Sequence, residues 1–300
     1  MLPSDSPIKS NITCFASMVM WSFAFPIADL LLQTWGTIAL IFWRMLLSVA
    51  VLMLLWILQD GWRRVLGSDW WLGLWVGGIG FGLGSVWFLL GQAMSDAVTP
   101  AIAAAMMPIF GALLEALFDG RRITLRLFLG IAFALGGGLI ATGARFDEGH
   151  YGWGSLLCMF SVVLFAWATR ATTKGFPSLS SVGQTSVTLV GALMVISVIY
   201  IGMLLSGMPA TQVGLIQPLH LGLFLFSAIG STALAQFLWI CGAARLGILL
   251  ASFHMNAMPF YVMVVMVLWF GASWNWWQAF GAAVVAVGVW IAQSSVRKKH

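Results

Sequence analysis

Ten runs of predominantly apolar residues, each about the length that crosses a bilayer, constrain what this chain can fold into. They occupy residues 11–33, 36–58, 69–92, 98–118, 125–143, 152–171, 181–205, 219–242, 247–270 and 276–293, and leave no stretch for a soluble domain. A transmembrane helix needs roughly 20 such residues, about 30 Å at 1.5 Å per residue. A closed barrel of alternating strands is excluded, because these runs are apolar on every face and about twice the length of a membrane strand. With 61% hydrophobic and 8% charged residues and a mean hydropathy of +0.99, the chain reads as an all-α, polytopic membrane protein.

The few charges orient it. With Lys and Arg assigned to alternate sides of ten spans, twelve fall on the side of the termini: Lys9, Arg63, Arg64, Arg121, Arg122, Arg126, Arg170, Lys174, Arg245, Arg297, Lys298 and Lys299. Arg145 alone falls opposite, and Arg44 lies within a span. The positive-inside rule therefore predicts cytoplasmic termini and an external 145–151 loop, in a cell inner (plasma) membrane. Merging or missing one span reverses every later loop and mixes the charges, so the same bias supports a count of ten. The net charge of +5 requires no nucleic-acid partner, since anionic lipid head groups neutralise arginines beside spans. The first run follows a ten-residue polar start without a small-residue cleavage pattern, which predicts a retained span rather than a signal peptide. Cys14, Cys158 and Cys241 sit inside spans at unrelated spacings, as apolar fillers do, which argues against a disulfide framework or metal cluster.

The sequence repeats itself. A slide of 151 positions sets Leu90-Gly91 on Cys241-Gly242, Met107-Pro108 on Met258-Pro259, Gly120 on Gly271, Gly130 on Gly281 and Gly137 on Gly288. The halves are 1–145 and 146–300, each with five spans. Because five is odd, the second half enters the membrane from the opposite side, giving two inverted five-helix repeats. Such repeats characterise secondary transporters, whose substrate site lies near the midplane between the halves at interrupted helices. Pro108 and Pro259 are equivalent interruptions near the middle of spans four and nine, and are the expected hinges.

Trp21-Ser22 with Phe25-Pro26, the FWRMLLSVAVL stretch of 42–52, the AxxAAxMMP stretch ending at Pro108 and the Gly-rich segment 118–143 together resemble the EamA-type family of the drug/metabolite transporter superfamily. The second half resembles it again through LWICGAARLG, Pro259 and segment 274–293. The resemblance implies ten helices around a cavity lined by spans one, three, four, six, eight and nine. It also implies export of amino acids or related metabolites, with the family's aromatic amino acid exporters as the narrower comparison. Where the family carries a glutamate after span four and a counterpart after span nine, this chain has Asp119 and Ala272, a departure expected to affect a loop cap.

Among individual residues, His254 and Asn256 come first, because a polar side chain in the hydrocarbon is costly unless it faces a cavity or a partner. The competing reading is an interhelical hydrogen bond of about 0.6 kcal/mol. If both contact substrate, alanine at either position weakens binding by about 0.5–1.5 kcal/mol. Gln236 is the next candidate, ahead of Ser85, Gln92 and Thr99. Trp21 falls at the centre of span one, while Trp87 and Trp167 lie deeper than the interfacial tryptophans Trp35, Trp62, Trp70, Trp71, Trp153, Trp274, Trp276 and Trp277. Walls of Trp21, Phe81, Trp87, Met106 and Trp167 with neutral contacts from His254, Asn256 and Gln236 suit a small amphipathic solute. Arg44 has a substrate carboxylate as one conceivable partner. The resemblance puts its helix at the periphery, however, so a snorkelling or capping role is expected. The glycine run 77–85 lies inside a span rather than between a strand and a helix, so it is a packing seam and not a nucleotide loop.

These readings predict a membrane transporter working by alternating access, with a small-molecule substrate, the lipid bilayer as its surroundings, no cofactor and a monomeric state. A multidrug or cation antiporter is the alternative. It needs a carboxylate in the membrane core, whereas Asp29 and Glu115 lie toward the two ends of their spans, so stoichiometric proton exchange through a buried acid is not expected. An intramembrane enzyme is disfavoured because no second ligand, nucleophile or carboxylate accompanies His254.

Overall fold

The computed structural model describes residues 7–118, 120, 125–141, 151–246 and 248–293. These form helices and, among the described residues, no strand; the longer ones are α1 (Ile8–Leu32), α2 (Thr37–Asp60), α3 (Trp70–Ala93), α4 (Val98–Phe118), α5 (Leu125–Ala141), α6 (Gly152–Gly175), α7 (Ser181–Leu205), α8 (Pro218–Leu246), α9 (His254–Phe270) and α10 (Trp276–Gln293), with short helical turns at Trp62–Leu66, Pro209–Thr211 and Ile248–Ser252. Seven of them, α1 to α4 and α6 to α8, are long and apolar enough to cross a membrane. The others lie at expected spans five, nine and ten: α5 and α9 cover part of 125–143 and 247–270, and α10 has the bounds 276–293. The boundary between the proposed halves, together with Asp119, Arg121, Arg122, Arg145, Arg297, Lys298 and Lys299, lies outside the described residues. The outer surface is apolar, with Leu58 73% and Leu205 84% exposed, as a lipid-facing surface requires.

Local chemistry sets the ends. Asp69 caps α3 by accepting from the Leu72 amide at 2.9 Å, and Ser180 caps α7 by accepting from Gly183. Gly271 ends α9 at φ 66°, a left-handed conformation glycine adopts without a Cβ penalty, and Gly120 after α4 has φ 69°.

Two of the helices are interrupted by widened turns. A widened π turn occupies Val76–Leu83 in α3 and another occupies Phe226–Leu234 in α8. A π turn shifts backbone bonds from four to five residues, and Thr232 follows that spacing by donating to the Ser227 carbonyl at 2.9 Å. Hydroxyls from neighbouring helices serve nearby carbonyls: Ser48 Oγ lies 2.7 Å from the Ala228 oxygen, and Ser17 Oγ 2.7 Å from the Ala235 oxygen. In lipid such partners are what make irregular backbone tolerable.

Prolines account for three further breaks. α1 is interrupted at Phe23, before Pro26, and α4 at Met106, before Pro108. α9 begins as a 3-10 turn, Phe253–Ala257, before Pro259. Proline removes an amide donor and crowds the carbonyl four residues back, so the chain tightens locally. The Met106 amide donates to Ala103, and the Met258 amide to Met255, the carbonyl that Pro259 leaves without its helical donor.

Candidate functional site

The breaks converge on a cavity of about 140 Å³ in the middle of the bundle. A dry cavity of about 150 Å³ accepts a benzene ring, so this one holds a body of that size. Its walls are largely aromatic: Trp21, Phe25, Phe81, Phe88, Phe165 and Trp239. Trp239 is 1% exposed, lies against Trp21 with ring centroids 5.8 Å apart, and donates its Nε1–H to Thr169 Oγ1 at 3.2 Å. Phe165 meets Phe88 edge-on at 5.6 Å. Most of these rings therefore brace one another while presenting flat faces to the space between them.

The polar lining divides into engaged and free groups. Gln92 is engaged: its Nε2 donates to the Phe25 carbonyl at 2.7 Å and to Asp29 Oδ1 at 2.8 Å. Thr169 and Thr232 are also bonded, to Trp239 and to the Ser227 carbonyl. Gln236 Nε2 and Ser231 Oγ have no hydrogen-bond partner, although their residues are only 8% and 2% exposed. A buried polar atom left without a partner costs about 1–3 kcal/mol, which a water or a polar group of a solute in the cavity offsets. Arg44 also lines the cavity, and no acceptor or carboxylate within the described residues engages its guanidinium. A lone cation at the centre of a membrane helix costs about 2.5–3.5 kcal/mol, and Arg44 lies seven residues into the 24-residue α2. Among the described residues, no carboxylate lines the cavity.

The lining follows the 151-residue register. Phe81 and Thr232, Ser85 and Gln236, Phe88 and Trp239, Ala104 and Met255, and Met107 and Met258 are pairs separated by that interval, and both members of each pair face the cavity. The π turns of α3 and α8 occupy matching positions, as do the breaks before Pro108 and Pro259.

Of the residues singled out from sequence, the structure brings Trp21, Phe81 and Gln236 to this cavity. Met106 is buried in the turn of α4 just behind the lining residue Met107, and Trp167 is half-buried against the core. Trp87 is 36% exposed and is not part of the lining. Pro108 and Pro259 are buried beside the lining methionines Met107 and Met258 without lining it themselves. His254 and Asn256 also lie outside the lining. His254 Nε2 sits 3.0 Å from Asn11 Oδ1 near the start of α1, and Asn256 Oδ1 is buried without a partner. The physical reason is helical geometry: His254 and Asn256 are the chain neighbours of the lining residue Met255, and at about three residues per turn each points roughly 120° away from the face that Met255 and Met258 present. We therefore expect His254→Ala to leave solute affinity within twofold of wild type, measured by calorimetric titration of the purified protein. Sequence reasoning weighed Arg44 and favoured a snorkelling or capping role, and it passed over Ser231 and Trp239. For Trp239 a signal existed, as the register partner of the aromatic Phe88.

Among the described residues, no three His, Cys, Asp or Glu side chains assemble as a metal site. The model of the EamA-like transporter family matches residues 8–143. No curated protein matches the chain. A solved crystal structure of a protein is similar in fold, with a TM-score of 0.73 over 98% of this chain and 100% of the other, at 18% sequence identity.

Proposed function

We propose that the chain is a multi-pass membrane transporter of the drug/metabolite superfamily, a reading supported by the match of residues 8–143 to the EamA-like transporter family model, and that it exports or facilitates the movement of amino acids or related small metabolites, aromatic ones among them. The observation that carries this reading is the register of the cavity. Five pairs of lining residues separated by 151 positions are what two structurally equivalent halves around a shared site produce. In this reading residues 1–145 and 146–300 are inverted five-helix repeats, and alternating access is a rocking of one against the other. The proline breaks of α4 and α9 and the π turns of α3 and α8 supply adjustable joints at the cavity. Both termini face the cytoplasm across an inner membrane, as the distribution of basic residues suggests.

The cation antiporter alternative is disfavoured by the lining itself, which contains Arg44 and no carboxylate. Counterflow tests the transport reading. Liposomes containing the purified protein and preloaded with unlabelled phenylalanine are expected to accumulate labelled phenylalanine transiently, and empty liposomes are not. Absence of counterflow across a panel of amino acids and their keto acids would sink the proposal.

A further inference from the structure

Resting on the transport reading for its biological sense, we propose that Arg44 is an anion-binding group in the central cavity, and that the transported solute carries one carboxylate on an apolar body about the size of a single ring. Three observations converge on this. Arg44 lies seven residues beyond the start of α2 at Thr37, about 10 Å along the helix, and its side chain lines the cavity rather than engaging any acceptor in the described residues. Two buried lining atoms without a hydrogen-bond partner among the described residues, Gln236 Nε2 and Ser231 Oγ, lie on α8, and both can donate. Among the described lining residues there is no carboxylate, which leaves a solute as the source of a counter-charge for Arg44.

The chemistry of the donor set selects the ligand. A planar guanidinium presents paired N–H groups that match the two oxygens of a carboxylate, and an amide and a hydroxyl supply further donors. A cationic solute places like charges together in a region of low dielectric, which is strongly unfavourable. A phosphate monoester carries close to two charges against a single cation. The aromatic walls and the volume of about 140 Å³ accommodate the apolar body. The lining therefore matches an arylalkyl or branched-alkyl acid, with or without an amino group.

The test uses the purified full-length protein and probes that differ only in their head group: 3-phenylpropionate, 3-phenylpropanamide, 3-phenylpropylamine and 3-phenylpropyl phosphate. Binding is measured by calorimetric titration in detergent. Wild type is expected to bind the acid at least tenfold tighter than the amide, and the amine not measurably. Arg44→Gln is expected to lose that tenfold preference while keeping the affinity for the amide, and Arg44→Lys to retain part of it. Equal affinities for acid, amide and amine, preference for the amine or the phosphate, or no binding of any probe overturns the proposal. So does a loss of acid and amide affinity together in a folded Arg44→Gln. The wild-type comparison stands even if that variant fails to fold. Because binding in detergent is independent of translocation, intact acid preference without counterflow refutes the transport reading and leaves the assignment of Arg44 standing.

Discussion

Gly77→Ala is expected to abolish recovery of folded protein, or to destabilise it by at least about 3 kcal/mol, the upper part of the range for overpacking. A Cβ built at Gly77 lies 1.8 Å from the backbone oxygen of Thr188 and 2.6 Å from its carbonyl carbon, distances that no pair of atoms sustains. The obstacle is backbone, so no rotamer change relieves it, and α3 or α7 has to move by more than an ångström. That movement is blocked one turn away on each helix, where a Cβ at Gly191 of α7 would lie 2.2 Å from the Gly73 oxygen of α3. The two glycines make a seam in which the helices touch backbone to backbone, as small residues permit in membrane bundles. Intrinsic helix propensity alone favours alanine by about 1 kcal/mol, so the sign of the effect separates seam from helix. Gly202 on the same α7 has open space around its missing side chain, and Gly202→Ala is expected to be neutral or mildly stabilising. Melting followed with a thiol-reactive dye reports both, since Cys14, Cys158 and Cys241 are buried until the bundle opens. A Gly77→Ala protein that melts with wild type would mean the helices are farther apart than described.

This seam also shows which parts of the molecule were legible in its sequence. The glycine run 77–85 announced close packing because glycine inside an apolar span has few other uses, and the Met-Pro dipeptides announced breaks because proline cannot complete a helix. Both are backbone effects, written locally. What faces what is a different kind of information. α2 is apolar nearly all round, so nothing within it indicates that Arg44 points inward. His254 finds its partner in Asn11, 243 positions away, and no local pattern encodes that meeting. Polarity marked both residues as costly in lipid, but whether the cost is met by a cavity or by a neighbouring helix depends on rotation about the helix axis. In α9 the face carrying Met255 and Met258 is the one turned to the cavity, which leaves positions 254 and 256 turned elsewhere. The 151-residue register held more than was drawn from it: applied to Phe88 it points to Trp239, and applied to Ser85 it points to Gln236.

Trp239→Ala is expected to cost about 3–5 kcal/mol of stability and to lower the affinity for an aromatic solute at least tenfold. The indole is 1% exposed and braced from two sides, by Trp21 at 5.8 Å and by Thr169, which accepts its Nε1–H at 3.2 Å. Removing it leaves a void between α1, α6 and α8 that the surrounding helices fill only in part, and it deletes the aromatic wall continuous with the cavity. Phenylalanine at the same position separates the two contributions. Trp239→Phe keeps most of the apolar volume and loses the hydrogen bond, so its stability should fall by about 0.5–1.5 kcal/mol with solute affinity largely retained. The thiol-dye melt gives the stability, and calorimetric titration with 3-phenylpropionate gives the affinity. Substituting Thr169 by Val removes the same hydrogen bond from the other side, and combining it with Trp239→Phe should cost little beyond either change alone. If Trp239→Ala binds 3-phenylpropionate as tightly as wild type, the aromatic floor is only packing. The solute would then be held from the Arg44 side of the cavity alone.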